Sequence, residues 1–183
     1  MTVLETDRLI LRWLSTDDAG FILQLLNDPS WLHFIGDRGV KTIEGARDYI
    51  LKGPVEMYAR LGYGLYAVEL KEGGIPIDVC GLIKRDFLDA VDVGFGLLPK
   101  YWAKGYGYEA AAAVIAYGKE AFGLGRMLAI TTPDNDRSAR LLEKLGLRFE
   151  GMVRCPGSDQ EVRLFASEVK HGSQSGGPVV ADV

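Results

Sequence analysis

The chain is poor in the residues that build metal or disulfide proteins. It has two cysteines, Cys80 and Cys155, without CxxC spacing, and two histidines, His33 and His171, far apart in sequence. Neither a zinc site nor a disulfide framework is therefore expected. No stretch approaches 18 uninterrupted apolar residues, which argues against a membrane-spanning helix. The opening MTVLETDRLILRW carries acids and arginines where a secretory signal needs a long apolar run. Together these absences point to a reducing compartment, most simply the cytoplasm. An excess of positive charge is also missing: 21 Lys and Arg against 25 Asp and Glu leave a net charge of −4. No global attraction to nucleic acid or anionic lipid follows, so any anion site must be local.

What is present amounts to one domain, since 183 residues fit the usual size of a single unit with its own core. The domain is expected over residues 1–168. The Gly- and Ser-rich end, 169–183, has no periodicity and reads as a flexible tail.

Alternation over Arg8–Trp13 predicts a first strand. Phe21, Ile22, Leu25 and Leu26 lay a helical stripe over 17–27, capped by Ser15 or Thr16 and ended by Asp28-Pro29. A loop holding Trp31, His33, Phe34 and Gly36 follows. Thr42 caps a helix to Lys52, and Pro54 suits the first turn of another through Leu61. Short β-rich runs at Leu65–Leu70, Val79–Arg85 and Val91–Leu97 imply an antiparallel meander. A long helix over Gly107–Phe122 comes next, then a strand at Met127–Thr131, a helix at Asn135–Leu145, and strands at Phe149–Arg154 and Glu161–Ala166. The sum is an α/β (α+β) domain, a mixed and mostly antiparallel sheet flanked by helices.

Chemistry concentrates in Leu97-Leu98-Pro99-Lys100-Tyr101-Trp102-Ala103-Lys104-Gly105-Tyr106-Gly107-Tyr108, where a strand turns into a helix start. The first N–H groups of a helix are unpaired and carry its positive dipole end, which makes an anion site. Gly105 and Gly107 let an anion approach the backbone, and the only charges from Leu98 to Tyr108 are Lys100 and Lys104. A diphosphate suits such a place. Gly105-x-Gly107-x-x-Ala110 also fits the dinucleotide fingerprint formally, but Pro99–Lys104 separate strand from glycine, and antiparallel strands precede. The plain alternative is that these glycines only turn a corner.

Three blocks in order resemble the GNAT superfamily of N-acetyltransferases, and within it the ribosomal-protein alanine acetyltransferase-like branch. They are Thr6-Asp7-Arg8-Leu9-Ile10-Leu11-Arg12, then Leu97-Leu98-Pro99-x-Tyr101-Trp102-x-Lys104-Gly105-Tyr106-Gly107-x-Glu109-Ala110, then Asn135-x-x-Ser138 before Leu141-Leu142-Glu143-Lys144-Leu145-Gly146. The resemblance covers about Thr6 to Ala166. It implies acetyl-coenzyme A as co-substrate, with the pyrophosphate on the turn of Trp102, Ala103, Lys104, Gly105, Tyr106, Gly107 and Tyr108. It implies a pantetheine arm along Leu97 and Leu98, with Asn135 on that arm and Ser138 beside the sulfur as proton donor. Asp92 stands where resembling enzymes often carry Glu and would take the amine's proton through water. Trp31, His33 and Phe34 fall where the family builds its acceptor wall, and no metal is implied.

Two departures stand out: Trp102 replaces the Gln or Arg that opens the turn in the broad family, and Phe95-Gly96 leaves a roomier acceptor pocket than an aromatic pair would. Each assignment has a plainer counterpart. Asp92 could be a strand-surface carboxylate, Asn135 an N-cap, Ser138 a first-turn residue, the aromatics packing. Arg137, Arg140 and Lys144 form a stripe at helical spacing, a solvated face from which Arg140 could reach phosphates. Cys155 has no activating His near it in sequence and is incidental.

The implied reaction is transfer of an acetyl group to a primary amine: a protein N-terminus, an amino acid, a polyamine or another small amine. At pH 7 about one in seven α-amines is neutral but only about one in 2,500 lysine side chains, so an α-amine asks far less of a base. The other reading is a non-catalytic acyl-coenzyme A sensor that kept the turn. A homodimer through exposed strand edges is compatible with such a sheet.

Overall fold

The computed structural model describes residues 1–157 and 159–168, so the expected tail at 169–183 lies outside the described residues. Eight strands form one sheet: β1 (Thr2–Glu5), β2 (Leu9–Trp13), β3 (Leu65–Leu70), β4 (Ile75–Ile83), β5 (Val91–Leu97), β6 (Met127–Thr131), β7 (Leu147–Arg154) and β8 (Glu161–Ser167). Their order across the sheet is β1-β2-β3-β4-β5-β6-β8-β7. The helices are α1 (Ala19–Leu26), α2 (Pro29–Phe34), α3 (Ile43–Ile50), α4 (Glu56–Leu61), α5 (Tyr106–Phe122) and α6 (Asp136–Lys144). The mixed sheet with one parallel pair, β5 beside β6, is the architecture the element order implied. Among the described residues no helix is long and apolar enough to cross a membrane.

Helices cover both faces, and two cores result. Ala110, Ala111, Val114 and Ile115 of α5 and Leu142 of α6 pack with Leu9, Leu82, Val93 and Met127 on one side. On the other, Ile22 and Leu25 of α1, Trp31 of α2 and Ile50 of α3 pack with Ala67, Val79 and Leu98. Small residues on α5 let it lie close: a Cβ added at Gly118 would stand 3.1 Å from the Met127 side chain and 3.2 Å from that of Leu82.

Several elements differ from the sequence reading. The segment of Trp31, His33 and Phe34 is helical, because Asp28-Pro29 starts α2 as well as ending α1. The Asp28 carboxylate accepts from the Ser30 amide, and proline fills the first helical position, where its missing N–H costs nothing. Pro54 lies in a π-turn, Leu51–Val55, that joins α3 to α4 without a break. β4 begins at Ile75, earlier than Val79, since a bulge at Val68/Glu69 accommodates Pro76. Four-residue β1 pairs along β2 and was too short to show a pattern.

The feature that positions the site is a divergence of strands. β5 and β6 share only two rungs, Val91 with Met127 and Asp92 with Leu128, while β5 runs on to Leu97 and β6 to Thr131. Beyond Asp92 they separate, and a V-shaped cleft opens between two strand edges in the middle of the sheet.

Candidate active site

One wall of the cleft is β5. The amides of Gly96 and Leu98 turn toward β4, onto an Asp78 carboxylate oxygen (2.8 Å) and the Ile77 carbonyl (3.0 Å). Amides alternate along a strand, so those of Phe95 and Leu97 face the cleft. The Leu98 N–H is already spent on Ile77 and its carbonyl accepts from Tyr101, so neither the pantetheine arm nor an oxyanion can use that N–H.

At the top of β5 the chain makes a short 3-10 turn, Pro99–Tyr101, and enters α5 through two left-handed residues, Ala103 (φ 59°) and Gly105 (φ 83°). Ala103 is the only described non-glycine residue with positive φ, a strained conformation of the kind that gathers at functional sites. The result is a concave run of donors. Within the described residues none of the six amides from Ala103 to Tyr108 meets an acceptor; the first bonded one is Glu109, onto the Gly105 carbonyl. Consecutive free amides at a helix head, with no Cβ on Gly105 or Gly107, form an anion cradle. Lys100 and Lys104 both stand over the Tyr101 ring beside it.

The cradle is held from a distance. Glu109 accepts from the Thr6 hydroxyl (2.6 Å), the Arg8 amide (2.9 Å) and the Arg8 guanidinium (2.7 Å), while Arg8 also donates to the Lys104 carbonyl (2.9 Å) and covers the Tyr106 ring. Burial pushes the Glu109 carboxyl up, but these donors outweigh it and hold it below its ordinary value. Thr6, Arg8 and Glu109 appeared in two sequence blocks about a hundred residues apart. Nothing in the chain said that they touch.

The other arm of the V is β6 and the head of α6. Asn135 caps α6, its side-chain oxygen accepting from the Ser138 amide at 3.1 Å. Leu141, one turn on from Ser138, would meet a Cβ on Gly107 at 3.8 Å, so the Ser138 row of α6 faces the head of α5. Asn135 and Ser138 are thus brought to the mouth of the cleft opposite the cradle.

Asp92 lies elsewhere. It sits at the base of the V, 1% exposed, with Oδ2 2.6 Å from Arg85 Nε. Burial pushes its carboxyl up and Arg85 works against that. Arg85, just past the end of β4, holds one oxygen of this carboxylate at the last shared rung, while the other, Oδ1, is buried without a hydrogen-bond partner.

The acceptor-side residues divide. Trp31 is 6% exposed and its ring lies directly on Gly96, where any Cβ would collide with it. The pocket expected above Phe95-Gly96 is therefore filled by indole and is no roomier. Trp31 Nε1 is buried without a partner, as is Thr131 Oγ1 at the end of β6. Orphaned polar atoms on both sides of the V are what a cleft built for a polar chain should show. His33 Nε2 meets Asp134 Oδ2 at 2.7 Å and its ring packs edge-on against Phe34, so α2 reaches across to the β6–α6 loop. Among the described residues no cluster of His, Cys, Asp and Glu could hold a metal.

Residues 8–148 match the model of the acetyltransferase (GNAT) domain family. The chain belongs to that family. YoaA of Bacillus subtilis, an uncharacterized N-acetyltransferase, is 30% identical over 83% of this chain and 86% of its own length. A ribosomal protein uS5-alanine N-acetyltransferase of Escherichia coli is 28% identical over 82% of this chain and 80% of its own. The crystal structure of a GNAT acetyltransferase from Bacillus anthracis superposes with a TM-score of 0.74 at 26% identity, covering 91% of this chain and 97% of that one. The chain is an acetyltransferase, and its GNAT fold is a single α/β domain. The family uses acetyl-coenzyme A, and the donor-lined cradle and the open strand edges fit a diphosphate with an amide-bearing arm.

Asp78 belongs to the site's support. It is wholly buried on β4, one oxygen takes the Gly96 amide and the other has no partner, and burial raises its carboxyl to about 7. Its folded value lies above the unfolded one. Its contribution to stability is complete below about pH 4 and is lost as pH rises through about 7. Asp78→Asn keeps an acceptor for Gly96 and never ionises. Urea unfolding should show the variant about 1–2 kcal/mol more stable than wild type at pH 8, with that advantage gone at pH 4. Equal pH dependence in both proteins would refute the assignment.

Proposed function

We propose that this is a cytoplasmic N-acetyltransferase that moves the acetyl group of acetyl-coenzyme A directly onto the α-amine of a protein or peptide N-terminus. One observation carries the cofactor half of this reading: six unpaired amides among the described residues, Ala103 to Tyr108, leading into α5 beside the point where β5 and β6 part. The diphosphate occupies the cradle, with Gly105 and Gly107 giving it access. The pantetheine arm pairs with the Phe95 and Leu97 edge of β5, and the thioester lies deeper in the V.

The acceptor half rests on the two faces of the sheet. Trp31, Gly96 and Asp92 share the α1–α3 face, and Ser138 stands on the α5–α6 face. The amine enters from the first, and its nitrogen forms a bond to the carbonyl carbon as the carbon–sulfur bond breaks. A cleft-facing amide of β5 holds the oxyanion. Ser138 gives the thiolate its proton, and the proton lost from the attacking nitrogen passes into water, which restores the Ser138 hydroxyl. Asp92, held by Arg85 through one oxygen with the other unpartnered, takes the ammonium proton through water, and an acceptor already partly neutral at pH 7, an α-amine rather than a lysine side chain, asks least of it. The Escherichia coli relative, named for the alanine of a ribosomal protein, supports the same class.

Thiol release from acetyl-coenzyme A tests it with three acceptors: a peptide with a free N-terminal alanine, the same peptide N-blocked but containing lysine, and spermidine. Turnover with the first and little with the others is expected. Turnover only with spermidine overturns the acceptor class, and coenzyme binding without turnover on a broad amine panel favours the sensor reading.

A further inference from the structure

The mouth of the cleft is spanned by one cation. Arg137, in the first turn of α6, places its guanidinium carbon 4.2 Å from the centroid of the Trp102 ring, across the V from its own helix. Trp102 opens the cradle on the β5 side and is itself fixed, its indole N–H donating to the Leu97 carbonyl at 2.8 Å. Planar guanidinium over an indole face is a favourable stack that an ammonium cannot copy.

What marks this arginine is what it does not do. Among the described residues the Arg137 guanidinium makes no hydrogen bond and no ion pair, only the stack on Trp102. The acids beside it are taken: Asp136 by Arg163 at 3.0 Å and Asp134 by His33 at 2.7 Å. Arg8, the other guanidinium at the cradle, is spent on Glu109 and the Lys104 carbonyl. Arg137 therefore keeps five N–H donors unspent, and its orientation is fixed before any ligand arrives.

We propose that Arg137 is a phosphate-binding residue of the coenzyme site. Stacked on Trp102, it covers phosphate oxygens that the amides of the cradle, on the opposite arm of the V, leave open. The proposal rests on the acetyltransferase reading above. It replaces Arg140 as the residue of the α6 stripe that reaches the phosphates.

Calorimetric titration of wild type, Arg137→Ala and Arg137→Lys with acetyl-coenzyme A, 3′-dephospho-acetyl-coenzyme A and S-acetylpantetheine tests it. Arg137→Ala should weaken acetyl-coenzyme A about tenfold or more, as expected for a charge-assisted bond, and leave phosphate-free S-acetylpantetheine unchanged. Arg137→Lys should recover less than half of that loss. An equal loss for the 3′-dephospho form assigns the contact to the diphosphate, and a loss confined to the 3′-phosphorylated form assigns it to the 3′-phosphate. Unchanged affinity for acetyl-coenzyme A, or the same loss for S-acetylpantetheine, overturns the proposal alone. Failure of wild type to bind any coenzyme A form overturns the acetyltransferase reading with it.

Discussion

Gly107→Glu should abolish coenzyme binding and leave the fold standing. Gly107 is the second residue of α5, its φ is not positive, and an added Cβ meets only Leu141 and Leu97 side chains at 3.8 and 3.9 Å. Glutamate is a better helix former than glycine by more than about 0.5 kcal/mol, and a carboxylate in the first turn suits the helix dipole. The same carboxylate, however, stands among the six free amides where a diphosphate would lie. Thermal unfolding of the unliganded variant should match or exceed wild type, while acetyl-coenzyme A affinity falls at least about a hundredfold, a cost of about 2.7 kcal/mol. A variant that binds normally would place the diphosphate elsewhere.

Arg85→Ala carries the largest expected loss of stability. It removes the partner of a carboxylate that is 1% exposed at the last rung joining β5 to β6. Breaking a buried pair from one side costs about 3–5 kcal/mol, because the charge left behind is uncompensated. The deficit should shrink as pH falls. Without Arg85, burial of Asp92 is opposed only by the smaller pull of the Ile130 backbone and raises its folded value further above the unfolded one, so stability is regained as the group protonates. Urea denaturation at pH 7.5 and pH 5 measures both points. A deficit that is small, or that grows in acid, would show that Arg85 does not compensate the buried Asp92 charge.

The sequence carried the framework of this site further than its chemistry. β3, β5 and β6 fall at their expected bounds, and α5 starts one residue early, because alternation, glycine punctuation and an alanine-rich stripe are local signals. The cradle was legible for the same reason: one segment holds all of it, from Trp102 to Tyr108. Features made by distant segments were not. The Thr6–Arg8–Glu109 clasp joins the two ends of the site, the V exists only because two strands separated in sequence by α5 part after Asp92, and Trp31 fills the space over Gly96 from a helix that Pro29 seemed to forbid. Asp92 also gave no sign that Arg85, seven residues earlier, holds one of its oxygens while the other stays unpartnered. The Arg137–Trp102 stack likewise pairs two residues with no sequence signal between them.

The most direct test of the central claim, that the β5–β6 cleft and its cradle hold acetyl-coenzyme A, is thermal unfolding of the wild-type chain with acetyl-coenzyme A, coenzyme A and NADH in separate runs. A ligand at about 100 times its dissociation constant adds roughly 2.7 kcal/mol, a rise of about 5–10 °C for a domain of this size. Both coenzyme A forms should give that rise and NADH none. No rise with either coenzyme A form would contradict the account, leaving the six free amides of the turn without a guest.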